Sequence, residues 1–176
     1  LRRRMSLRER GVMAESINTV RVGRILEITT TIGLGTLIFE GTGALLLAIR
    51  FIPEFGLGQG IWYSVFHSVS AFCNAGFDLM GVKAPFSSLV SYSDDALVCV
   101  TIMLLIILGG LGFLVWDDVR QKGLHWRRYD LQTKLVLVMT LALILGGALL
   151  FFLIERNRMN ADMPLGEQIL VSFFSA

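Results

Sequence analysis

The sequence predicts an all-α integral membrane fold, in which long spanning helices alternate with short re-entrant segments. Three observations carry that expectation. Of the 176 residues, 54% are hydrophobic and only 17% charged, whereas a soluble domain has about 45–50% apolar and about 25% charged residues. The apolar excess is gathered into discrete blocks rather than spread through the chain. Between two blocks stands Phe66-His67-Ser68-Val69-Ser70-Ala71-Phe72-Cys73-Asn74-Ala75-Gly76-Phe77, too short and too rich in small polar residues to cross a bilayer.

Taken in order, residues 1–24 read as a basic linker carrying Arg2, Arg3, Arg4, Arg8, Arg10, Arg21 and Arg24. A first span follows at 25–51, with Glu27 and Glu40 as interior charges. Residues 61–72 are mildly apolar and break into Cys73-Asn74-Ala75-Gly76-Phe77, the pattern of a half-helix that returns as extended backbone. The second span, 96–116, is uncharged over 21 residues, and the third, 135–154, over 20. Each meets the roughly 20 apolar residues that a helix needs to cross about 30 Å of hydrocarbon. A soluble bundle of buried helices would need charge-bearing partner elements that this sequence lacks. The organisation is thus a complete helix–loop–helix unit over 25–122, then a linker, a first helix and the start of a second short helix over 123–176. No cleavable apolar region follows the basic start. A chain opening at Leu1 and stopping inside an apolar stretch at Ala176 reads as a piece of a longer protein.

Lysine and arginine set the orientation. They crowd the N-terminal segment and the loop with Arg120, Lys122, Arg127, Arg128 and Lys134, while Arg50 and Lys83 alone lie between 50 and 95. Positive residues stay in the cytoplasm, so the N-terminus and the 117–134 loop are expected inside and 52–95 outside. The Phe66–Phe77 segment then dips in from the outer face. Cys73 and Cys99 have neither metal spacing nor a disulfide framework and read as free thiols.

The chain also repeats itself. Leu57-Gly58-Gln59-Gly60-Ile61-Trp62-Tyr63-Ser64-Val65-Phe66 aligns with Leu165-Gly166-Glu167-Gln168-Ile169-Leu170-Val171-Ser172-Phe173-Phe174, and upstream Gly43-Ala44-Leu45-Leu46 aligns with Gly147-Ala148-Leu149-Leu150. A parallel duplication implies copies about an axis along the membrane normal. Irregular backbone at membrane depth is tolerated only where protein or a watery cavity satisfies it. Carbonyls aimed into such a cavity can replace the hydration shell of a cation. Copies of the unit therefore outline an ion pore.

At this point the residues are similar to a known family. Ser70-Ala71-Phe72-x-Asn74-Ala75-Gly76-Phe77, Phe39-Glu40-Gly41-Thr42-Gly43-Ala44-Leu45, Leu108-Gly109-Gly110-Leu111-Gly112-Phe113 with Trp116, and Leu165-Gly166-Glu167 resemble the membrane subunit of the Trk/Ktr/HKT potassium transporters, most closely the bacterial Ktr type. The resemblance implies four helix–pore loop–helix units around a pore, of which this chain holds the second and part of the third. The gate-bearing helix of the third unit would lie beyond it. It also implies K+ uptake in the bacterial plasma membrane by a multi-pass homodimer. The regulatory partner would be a cytosolic ring of nucleotide-binding subunits of the RCK/KTN type. ATP or ADP would bind that ring, for this chain has no Gly-rich phosphate loop and needs no cofactor. Sodium stimulation is implied too, with activation and cotransport both open.

On this reading K+ is bound by the stretch Cys73, Asn74, Ala75, Gly76 and Phe77, through the backbone of Asn74, Ala75 and Gly76. From the residues alone, Gly76 could equally end a short helix; the resemblance favours the filter. Glu40, mid-span, costs about 2.5–3.5 kcal/mol on insertion scales. It is expected to face inward and brace the filter, taking bonds from Ser68, Ser70 and the Asn74 amide; direct cation binding is the sharper alternative. The Gly109-Gly110-Leu111-Gly112 run reads as close helix packing, and Asp117 and Asp118 as a solvated helix end. Basic residues face lipid headgroups, and nucleic acid is not expected. An intramembrane serine protease would need a serine activated by a histidine from another helix, but Ser64 and His67 share one short helix. A non-conducting assembly subunit with degenerate loops is the remaining alternative, and Gly76 argues against it.

Overall fold

The computed structural model describes residues 7–82, 87–123, 125–155 and 164–176, with side chains described from Thr29 onward and not at Glu155. Arg2, Arg3, Arg4 and Lys83 lie outside the described residues, as do the side chains of Arg8, Arg10, Arg21, Arg24 and Glu27. Six α-helices are described: α1 (Leu7–Phe55), α2 (Leu57–Phe72), α3 (Ala96–Leu111), α4 (Phe113–Lys122), α5 (Leu131–Glu155) and α6 (Leu165–Ser175). Short 3-10 turns occur at Met80–Val82, Ser88–Tyr92 and Trp126–Arg128, and no strand occurs among the described residues. The chain is an all-α membrane protein.

Two compact units divide it, Leu1–Ile38 and Phe39–Ala176. The described part of the first, from Leu7, is helical throughout.

Among the described residues, two stretches are long and apolar enough to cross a membrane, Thr29–Phe55 of 27 residues and Leu131–Ile154 of 24. The first overlaps the expected 25–51 and ends four residues past it; the side chains of residues 25–28 lie outside the described ones. The helix runs on through Pro53 to Phe55.

The expected straight span at 96–116 is instead broken. Helices α3 and α4 meet at 89° across Gly112, whose φ of 81° and ψ of 154° lie in a region essentially closed to residues with a Cβ. Indole Nε1 of Trp116 donates to the Leu108 carbonyl at 3.1 Å, satisfying one of the carbonyls that the end of α3 leaves without a helical partner. The Trp116 ring packs against Phe39 in a tilted arrangement, with centroids 4.7 Å apart. At its other end α3 is capped by Asp95, which accepts from Leu97 N at 3.0 Å and Val98 N at 3.3 Å. Arg50 pairs with the same Asp95 at 2.7 Å, and the Tyr92 hydroxyl donates to Glu54 at 2.6 Å. These two bonds tie the segment before α3 to the end of α1.

The core gathers around α2. Leu47 and Phe51 from α1, Tyr63, Ala71 and Phe72 from α2, and Val98, Ile102 and Leu105 from α3 are buried there with Met80 and Tyr92. By contrast α5 exposes much of its apolar surface, Leu143 at 69% for example, as a lipid-facing helix does.

The duplicated motif recurs in geometry as well as in sequence. Ser64 donates to Gly60 O at 2.7 Å in α2, and Ser172 to Gln168 O at 2.7 Å in α6. A Cβ on Gly43 would meet Ser68 Oγ at 2.6 Å, and one on Gly147 would meet Ala176 Cβ at 3.2 Å. Ser68 and Ala176 are equivalent positions of the two aligned segments. In each copy a glycine of a long helix lies against the same place on a short one.

Candidate functional site: the peptide after α2

Helix α2 ends in a left-handed cap. Asn74 N–H bonds Ala71 O at 3.1 Å and Ala75 N–H bonds Ser70 O at 2.9 Å, the paired bonds of a Schellman motif. Its left-handed residue is Asn74, at φ 52°. Asparagine tolerates this conformation better than most residues. Gly76 follows with φ 72° and open space where a Cβ would stand. The helix is therefore ended by Asn74, and Gly76 is a second left-handed residue two positions on.

From there an extended peptide runs back along α2. Ser70 holds Phe77 twice, accepting from its N–H at 3.0 Å and donating to its carbonyl at 2.6 Å. His67 Nε2 accepts from Leu79 N–H at 3.2 Å, and Nδ1 donates to Tyr63 O at 2.7 Å. Asp78 turns the chain onward by accepting from Met80 N–H at 2.9 Å. Among the described residues, no hydrogen bond ends on the carbonyls of Cys73, Asn74, Ala75 or Gly76. Residues Cys73 to Phe77 are all exposed. Four successive carbonyls thus stand free between two clamped ends.

Helices α1 and α3 hold this peptide from either side. Ser68 donates to the main-chain carbonyl of Glu40 at 2.6 Å. The Glu40 carboxylate lies 3.8 Å from the Cys73 thiol. The donors expected for that carboxylate go elsewhere: Ser68 to the Glu40 main chain, Ser70 to Phe77, and the Asn74 amide to Phe72 O and Ile106 O, each at 3.4 Å. On the α3 side Gly109 abuts the last turn of α2, where a Cβ would fall 1.8 Å from Phe72 O.

No group of three or more His, Cys, Asp or Glu able to hold a metal occurs among the described residues. Chemically, the arrangement offers main-chain oxygens, the hard ligands that suit hard cations. Ser64 and His67 are spent on backbone bonds to Gly60 and Tyr63 and form no nucleophile–base pair. Asp118 was expected in solvent and is not there. It is 7% exposed, accepts from Asp130 N–H at 2.9 Å and pairs with Lys122, because the loop after α4 folds back over it. Asp117 is exposed as expected.

Sequence reasoning missed the His67–Leu79 bond; it read the Gly109 run as close packing, without naming the end of α2 as the neighbour. The i, i+3 spacing of His67 and Ser70, which puts both on one face of α2, was the available signal for the first.

Long apolar helices packed beside a short helix and its free-carbonyl peptide define the class, an all-α membrane protein unit. The chain matches the TrkH family of cation transport proteins over residues 2–175 and belongs to it. It is 36% identical over 156 residues to the potassium/sodium uptake protein NtpJ of Enterococcus hirae, covering 89% of this chain and 33% of that protein. It is 36% identical to Ktr system potassium uptake protein B of Vibrio alginolyticus, over 98% of this chain and 38% of the relative. The Bacillus subtilis protein of the same name is 33% identical over 100% of this chain and 39% of the relative. The chain thus spans little more than a third of the length of these curated relatives.

Proposed function

We propose that this chain contributes a pore-loop unit, and part of the next, to a channel-like K+ uptake subunit. The carbonyls of Asn74, Ala75 and Gly76, flanked by Cys73 and Phe77, coordinate K+ in place of its hydration shell. Equivalent segments of the intact protein complete the ring, and the ion passes down its electrochemical gradient. The observation that carries this reading is the run of four unbonded carbonyls, with left-handed Asn74 and Gly76 and anchorage at Phe77 and Leu79. Glu40, Ser68 and Ser70 support the filter from behind.

The subunit sits in the plasma membrane as a homodimer with its N-terminal segment cytoplasmic. Its partner is a cytosolic ring of RCK/KTN-type subunits that binds ATP or ADP. Na+ acts as a stimulator. Three of the relatives are named for a Ktr potassium uptake system and one for potassium/sodium uptake, which supports a multicomponent, sodium-linked system.

Gly76→Ser in the intact transporter tests the filter. A side chain at φ 72° costs about 1–2 kcal/mol in left-handed strain, relieved by turning a peptide whose carbonyl would otherwise face the ion. K+ over Na+ discrimination, measured by uptake in cells lacking other K+ transport, is expected to fall. Unchanged discrimination would remove the filter assignment. Uptake of K+ and of Na+ measured together, with and without external Na+, separates activation from cotransport.

A further inference from the structure

We propose that His67 is a positioning residue for the filter peptide, holding Leu79 through a neutral imidazole and thereby fixing the spacing of the carbonyls upstream. This rests on the filter reading above. His67 is 2% exposed, so no solvent stands ready to replace a lost partner. Leu79 N–H can bond only an unprotonated ring nitrogen, so Nε2 is the acceptor and the proton sits on Nδ1. From there it is donated to Tyr63 O at 2.7 Å. Both ring nitrogens are committed, one to the helix and one to the returning peptide.

His67 and Ser70 lie one turn apart on the same face of α2. Phe77 and Leu79 lie two apart, and so on the same side of an extended peptide. The pairs Ser70–Phe77 and His67–Leu79 are therefore two rungs between a helix and a strand running opposite to it. With Ser70 alone the peptide could pivot about Phe77. A second rung removes that freedom.

Residue size follows the geometry: a short serine where the strand leaves the helix, and a longer imidazole farther along. The ring is walled by Phe51, Phe66 and Tyr63 with centroids 5.6, 5.7 and 6.4 Å away, which sets its plane. A histidine serving only to fill this space would need no acceptor aimed at Leu79.

The test uses His67→Gln, His67→Asn and His67→Leu in the intact transporter, with membrane abundance and monodispersity measured for each. Glutamine can place an acceptor near the position of Nε2; asparagine reaches only the Nδ1 position, and leucine offers neither. Glutamine is expected to keep K+ over Na+ discrimination within about twofold of the parent, since it keeps the bond to Leu79. Asparagine and leucine should lose about tenfold, equivalent to about 1.4 kcal/mol, at undiminished membrane abundance. Full discrimination in the asparagine or leucine variant overturns the proposal, as does equal damage in glutamine and asparagine, folding failure included. Should leucine fail to reach the membrane, the glutamine–asparagine contrast decides alone. Gly76→Ser is measured in parallel. If it leaves discrimination unchanged, the filter reading itself falls; if it lowers discrimination while His67→Asn does not, only the role of His67 falls.

Discussion

Gly109→Ala probes the closest approach in the site. The added Cβ would lie 1.8 Å from the Phe72 carbonyl oxygen, 2.8 Å from its carbonyl carbon and 3.3 Å from its Cα. All three atoms are main chain, so no side chain can swing aside. Real Cβ contacts essentially never fall below 3.0 Å, so α3 and the end of α2 must part by more than 1 Å. Overpacking of this kind typically costs about 1–3 kcal/mol and occasionally more, and a backbone-on-backbone clash belongs at the upper end. Phe72 immediately precedes Cys73, so the displacement passes directly into the free carbonyls. The variant should show a lower melting temperature in detergent. Whatever reaches the membrane should have a K+ half-saturation raised at least about tenfold, the equivalent of about 1.4 kcal/mol. Gly110→Ala is the control, because there the nearest atom is Asn74 Nδ2 at 3.8 Å, an ordinary contact. If the two alanine variants match in melting temperature and half-saturation, the packing argument is wrong.

Three further outcomes are expected. Glu40→Gln and Glu40→Ala should fold alike, since both keep the main-chain carbonyl that Ser68 bonds, and should weaken K+ uptake to a similar degree because both lose the charge beside Cys73. A near-normal Gln variant beside a crippled Ala variant would instead return the role to side-chain shape. Gly112→Ala must force φ 81°, ψ 154° on a residue with a Cβ, a strain of about 1–3 kcal/mol. Thermal unfolding should register it, and an unaltered melting curve would contradict the corner geometry. Cysteines introduced at exposed Val90 and Arg128 should react with an impermeant thiol reagent from opposite sides of the membrane. Reaction of both from one side would overturn the orientation drawn from the arginines.

Much of this architecture is legible in the residues, and the illegible parts share a cause. Uncharged runs mark the spans because hydrocarbon penalises charge, and the Leu-Gly…Ser spacing marks the repeat because both copies reuse one back-bond. The break at Gly112 escapes notice because the apolar run continues across it. Composition does not say which of Gly109, Gly110 and Gly112 bends and which merely packs. Likewise, Asn74 and Gly76 are both permissive at positive φ, and only the hydrogen-bond ladder tells which one ends α2. The burial of Asp118 depends on a loop returning over its own helix, which local sequence does not encode. Ser68 was read as a partner of the Glu40 side chain and meets its main chain instead. Residue type announces a donor, not the atom that receives it.

The repeated contacts of Gly43 with Ser68 and of Gly147 with Ala176 bear on manufacture rather than on strength. On the glycine side such a joint has no rotatable bond to average over, so any give lies in the neighbours, Ser68 and Leu105 in one copy and Ala176 in the other. A unit assembled from such joints inherits the spacing of its long and short helices from parts that have little freedom to be cut oversize or undersize. Drift at one seat would leave the two copies unequally spaced, so a change in one asks for a matching change in its counterpart. The two glycines are better regarded as a single dimension specified twice.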